Sequence, residues 1–214
     1  DISVVDVQET AQRNLQSLMA RAEGRLERAT AVGMFADNHQ AVITISAHEE
    51  LFYTRRLEVP EGFLTMDWER ATAPQANDGY TPVGEYVPDY AVGDVAYGND
   101  YSSPKSSSVA SGATGESADY ERAQRMVVEV QRSLDLWDRT WTQMPLSGVR
   151  VFAGARSAEL AQWLSREIGQ TVGALDVDAY LPGLAGMDAA HAAYCMPLAG
   201  VPLRTETRTA RAKT

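Results

Sequence analysis

The sequence predicts an α/β fold in which a mixed sheet is flanked by helices. Three features predict it. Residues 29–58 hold three apolar runs separated by short polar turns, the pattern of antiparallel neighbours. A long stretch from Asp119 places its apolar residues on one helical stripe. Beyond it, short apolar runs alternate with helical patterns, as strands joined by helices require. With 214 residues, 44% of them hydrophobic and 22% charged, the chain can bury a core in one large domain or two small ones.

The elements follow in order. Residues 2–5 (ISVV) form a short strand. Asp6 then caps a helix, with Glu9 three positions on in a D-x-x-E capping box. Val7, Ala11, Leu15, Leu18 and Ala22 make one apolar face of that helix. Strands over 29–35, 40–46 and 51–58 come next. The stretch GMFADNHQAVITISAHEELFYTRR spells out strand, tight loop, strand, turn, strand. From 70 to 118 the composition shifts to Pro, Gly, Ser, Asn and Asp, and hydrophobic periodicity disappears. This is a flexible loop whose tyrosines, Tyr80, Tyr86, Tyr90, Tyr97 and Tyr101, either do little or serve as contact points for a partner.

Order resumes at Asp119. Ala123, Met126, Val127, Val130, Leu134, Trp137 and Trp141 share a stripe, and Pro145 and Gly148 end the segment. A strand over 149–153, a helix over 158–168, a strand over 171–175 and an Ala-rich helix from about Met187 to near Pro197 complete the list. The chain thus divides into a helix with three strands (1–59), an insertion (60–118), a helix-strand-helix-strand-helix part of the same domain (119–204) and a basic tail (205–214).

Charge and composition exclude several functions. A net charge of −10 and a pI of about 4.8 argue against a nucleic-acid partner, which needs a basic face. The cluster Arg204–Lys213 is a solvated end or a juxtamembrane segment. A single cysteine, Cys195, permits no internal disulfide and no thiolate zinc site. No apolar run approaches the roughly 18–20 residues of a membrane span, and no signal peptide is visible. The chain opens on Asp1 rather than Met and reads as a fragment. His39, His48 and His191 are not spaced as metal ligands, and the common phosphate-loop, dinucleotide and nucleophile-elbow motifs are absent.

The element order resembles the ribonuclease-H-like unit shared by actin, sugar kinases and Hsp70-type ATPases. A phosphate-gripping hairpin in that fold needs an Asp to organise metal-bound water, glycines for close backbone approach and a hydroxyl. The loop Phe35–Gln40 offers Asp37 and Asn38 but no glycine and no Ser or Thr. Asp37-Asn38 is also a good turn pair, and His39 an exposed turn residue. The second place is the strand-to-helix turn at Ala153–Arg156, where Gly154 is a simple turn and Ser157 the helix cap. Asp37, Asn38, Gly154 and Arg156 are therefore the candidate remnant of a nucleotide site, with no catalytic residue and no metal ligand expected. A ribonuclease-H-type nuclease is excluded because strand 29–35 has no carboxylate. Trp137, Trp141 and Trp163 are expected in the core, and Arg55-Arg56 in a surface ion pair, with alternation sending one side chain inward or into a cleft and the other to solvent.

Three stretches carry a closer resemblance. They are VVDVQETAQRNLQSLM (4–19), ITISAHEELFYTRRLE (43–58) and residues 128–177. Their cues are the D-x-x-E-x-A-x-R-N-L helix, the strand ending L-F-Y-T-R-R-L, and the E-x-Q-R-S-L-D-x-W-x-R helix that leads to L-x-x-x-L-S-x-x-x-G. Together they resemble the MshI branch of the PilM-like proteins, type IV pilus assembly factors related to actin-like ATPases. The resemblance implies the later part of a two-lobed protein. It implies a cytoplasmic scaffold, peripheral to the inner membrane, in the MSHA-type pilus platform. Its partners would be the cytosolic tail of a PilN-like membrane protein and other platform components, and a homo-oligomer is left open. Typical members bind ATP with magnesium between two lobes. The glycines for that are missing at Ala36–Gln40 and reduced at Ala153–Arg156, so the expectation is a degenerate site, no cofactor and no enzymatic activity. The alternatives are a nucleotide-binding actin-like ATPase that regulates pilus assembly, and the cytoplasmic GspL-like domain of a type II secretion platform.

Overall fold

The computed structural model describes residues 6–72, 113–184 and 186–204. Its strands are β1 (Ala29–Met34), β2 (Gln40–Ala47), β3 (Glu50–Glu58), β4 (Leu146–Phe152) and β5 (Val172–Ala174). They form one mixed sheet in the order β3-β2-β1-β4-β5. Short connections make β1, β2 and β3 antiparallel neighbours, and β4 and β5 run parallel to β1. Between β2 and β3 the register slips: Ile45 faces Tyr53 and Ser46 faces Leu51, so Phe52 has no partner in the ladder.

Helices cover both faces, because successive strand residues point to opposite sides. Ala31 and Phe35 join Ile43, Ile45 and Val151 on one side, under α2 (Trp68–Thr72), α3 (Ala113–Thr140) and α4 (Ser157–Ile168). Val32, Met34 and Phe152 face the other way, under α1 (Gln8–Ala22) and the segment after β5. That segment is α5 (Ala189–Cys195) followed by 3-10 turns at Met196–Leu198 and Val201–Leu203.

The face of α1 differs from the apolar spacing. Val7 is 51% exposed, and Gln12, Asn14 and Gln16 are buried beside Ala11, Leu15 and Met19. The reason is geometric. Four residues of helix advance about 6 Å and two residues of strand about 6.6 Å. Gln12 Nε2 therefore donates to the carbonyls of Val32 (2.8 Å) and Val42 (3.2 Å). One turn on, Gln16 Nε2 meets those of Thr30 (2.9 Å) and Thr44 (3.4 Å). Thr44 Oγ1 donates back to Gln16 Oε1 at 2.7 Å. The start of α1 is also one residue later than the capping box suggests. The Asp6 carboxylate accepts from the Thr10 hydroxyl and the Val7 N–H, Val7 takes the cap position, and Glu9 pairs with Arg56 instead.

Two further boundaries move. Pro60–Thr72 belongs to the packed domain rather than to the insertion. Phe63 and Trp68 are fully buried, with ring centroids 5.8 Å apart, and Trp68 stacks on Trp163 at 6.1 Å. α3 begins at Ala113, before Asp119, because a helix with a strong packed body propagates back through weaker residues. Trp137 and Trp163 are in the core as expected, but Trp141 is 38% exposed and leans edge-on against Phe52 of β3 at 5.0 Å. Residues 2–5, the five tyrosines and the tail 205–214 lie outside the described residues.

Candidate functional site

The two loops singled out by sequence leave the carboxyl ends of β1 and β4, which are adjacent and parallel. They start side by side, with the Phe35 N–H donating to Phe152 O at 2.7 Å. In open α/β sheets ligands bind beyond the carboxyl ends of strands where the order reverses. Here that point lies between β1, whose chain turns back to β2, and β4, whose chain goes on to β5.

The first loop is occupied with itself. Asp37 Oδ1 accepts the His39 N–H at 2.9 Å, closing a local turn, and His39 O accepts the Val59 N–H at 2.9 Å. Asp37, Asn38 and His39 are exposed, and the first two border an open cleft of about 400 Å³ together with Gln8, Tyr194 and Pro197.

The second turn needs its glycine. Gly154 has φ +58°, in the left-handed region. Ser157 does not cap α4 in the expected way. Its Oγ accepts the Ala153 N–H at 2.8 Å and donates to Gly154 O at 2.7 Å, so it locks the turn behind it, while Arg156 holds the cap position. Gly154 borders a separate cavity of about 410 Å³ with Asp176, Asp178, Ala193 and Met196. A β-carbon built on Gly154 would lie 3.6 Å from that of Ala193, so α5 stands directly over this turn.

Arg156 serves a third place. Its guanidinium donates to Leu64 O (2.6 Å) and Met66 O (2.9 Å), pairs with Glu159 and lies 3.9 Å over the Trp68 ring. The hydrogen bond from Arg156 holds the Glu159 carboxyl below its usual range. This contact ties the turn after β4 to the chain that leads into α2.

The four sequence candidates are therefore divided among three environments. α5 and the turn after it wall off the two cavities from each other, with Ala193 and Met196 on one side and Tyr194 and Pro197 on the other. The four candidates do not converge on one pocket. Asp37 accepts within its own turn, Gly154 is half-buried beside Ala193, and Arg156 points to Leu64, Met66 and Trp68.

Sequence reasoning missed two features that hold α1 in place. Gly200 sits so close to α1 that a β-carbon on it would lie 1.7 Å from Ala11 O, and its carbonyl accepts from Asn14 Nδ2 at 3.0 Å. Nothing local signals a contact across 186 positions. Glu23, just after α1, accepts from Arg150 of β4 (2.6 Å) and from the Tyr180 hydroxyl (2.9 Å). Burial pushes the Glu23 carboxyl up, but the bonds from Arg150 and Tyr180 outweigh it and leave it below the ordinary range. The same bond raises the Tyr180 hydroxyl.

No family model matches the chain, and no curated protein matches it. A solved structure to which the chain is similar is a PilM-PilN type IV pilus biogenesis complex, at 15% sequence identity and a TM-score of 0.47. The match covers 94% of this chain and 52% of that one, so the chain spans about half the length of the solved protein. No helix among the described residues is long and apolar enough to cross a membrane.

Proposed function

We propose that the chain is part of a nucleotide-independent scaffold in the MSHA-type branch of type IV pilus biogenesis, built on a ribonuclease-H-like, actin-related unit. The strand order, with its second strand antiparallel and the rest parallel, supports the fold. The motifs at 4–19, 43–58 and 128–177 support the MshI and PilM-like branch. The observation that carries the scaffold reading is that Asp37 and Arg156 make hydrogen bonds within the chain and that the Gly154 turn is locked by Ser157. The role that follows is to hold the cytosolic tail of a PilN-like protein at the cytoplasmic face of the inner membrane.

Two calorimetric titrations test this on the intact parent protein. A peptide of the PilN-like cytosolic tail is expected to bind at micromolar concentration, and Mg-ATP to give no heat at millimolar concentration. Micromolar binding of Mg-ATP without peptide binding would refute the scaffold and favour a nucleotide-regulated ATPase.

A further inference from the structure

The segment after β5 does more than cover the sheet. It crosses the switch point between β1 and β4, the place where this architecture receives ligands. Its inner residues, Ala193 and Met196, reach the Gly154 turn, and Met196 is buried. Tyr194, 84% exposed, and Pro197 border the Asp37 loop from the other side. The segment is seated on α1 backbone against backbone, at Gly200 and Ala11, and fastened by Asn14. Any residue larger than glycine at position 200 has to move away from α1, because the atom it would strike belongs to the main chain of a helix.

We propose that Ala189–Leu203 is an internal wedge that takes the place of a ligand. It holds the loop after β1 and the turn after β4 in one arrangement, so the sheet end keeps its shape without a bound molecule. The proposal rests on the reading of a degenerate nucleotide site and gives it a cause. The segment after β5 stands between the two loops and splits the site into two cavities, in addition to the missing glycines.

Hydrogen exchange of the full chain tests the wedge, comparing the wild type with Gly200→Ala and Asn14→Ala. In Gly200→Ala the amides of 189–203 should exchange about tenfold faster. Those of 35–39 and 153–157 should follow, while β2 and β3 keep their protection. Asn14→Ala, which removes one hydrogen bond and adds no clash, should show the same pattern more weakly, and it decides the matter if Gly200→Ala does not fold. Faster exchange of 189–203 with both loops unchanged would overturn the wedge alone. Protection of the two loops by millimolar Mg-ATP in the wild type would overturn both the wedge and the degenerate site.

Discussion

The buried amides of α1 show how much depends on which atom of a side chain finds a partner. Gln16 uses both ends of its amide, whereas Gln12 Oε1 is buried without a hydrogen bond among the described residues. Replacing Gln16 by Leu strands the Thr44 hydroxyl, which is fully buried, and should cost about 1–3 kcal/mol. Gln12→Leu removes an orphaned acceptor along with its two bonds and should cost less. Urea denaturation of the two variants checks the order, and equal losses would contradict this account. Glu23 gives a pH dependence. Its folded value lies below the ordinary 4.5, so its contribution is complete above that pH and is lost as pH falls through the lower folded value. Denaturation midpoints should fall more steeply below about pH 4.5 in the wild type than in Glu23→Gln. These residues were not legible as structural. A glutamine on a helix counts as polar in any hydrophobic pattern, and only the sheet beneath reveals its partners.

At the scale of elements, the five strands of the sheet and α5 were legible and α2 was not. β1 and β2 read as continuous apolar runs because the sheet is covered on both faces, and the turn between them is too short for anything but antiparallel neighbours. α2 has five residues, less than two turns, so it offers no period to detect. Its place is marked by aromatic residues. Phe63, Trp68 and Trp163 form one cluster, with Trp68 also under Arg156 and donating its indole N–H to Phe63 O at 2.9 Å. Trp68→Ala should therefore cost about 3–5 kcal/mol. It should also loosen the Leu64–Met66 chain that Arg156 grips. A thermal melt together with exchange at residues 60–72 measures both, and a loss below about 1 kcal/mol would mean that α2 is not part of the core.

For the whole molecule, the sequence located the two loops at the carboxyl ends of β1 and β4 but not what lies between them. Loop positions follow from element order. The path of the last segment follows from contacts such as Asn14 with Gly200, which join the two ends of the domain and leave no local pattern. The same holds for the division of the candidate site. Asp37, Asn38, Gly154 and Arg156 are close in topology, and side-chain packing then assigns them to different neighbours. A likeness of order thus defined where a ligand would sit in this architecture, while the packing of α5 decided what occupies that place.

The slip in register at Phe52, with the two arginines beyond it, bears on solubility. An outer strand bearing Leu51, Phe52 and Tyr53 is a template on which a second chain can add itself. Here its ladder is broken at Phe52. Arg55 is drawn to Glu129 and Ser133 of α3 on one face, and Arg56 to Glu9 of α1 on the other. A chain approaching that rim meets a kinked backbone and a pair of charges anchored on both faces. Indiscriminate strand addition, the first step toward fibrous aggregates, is disfavoured at the rim that would otherwise invite it.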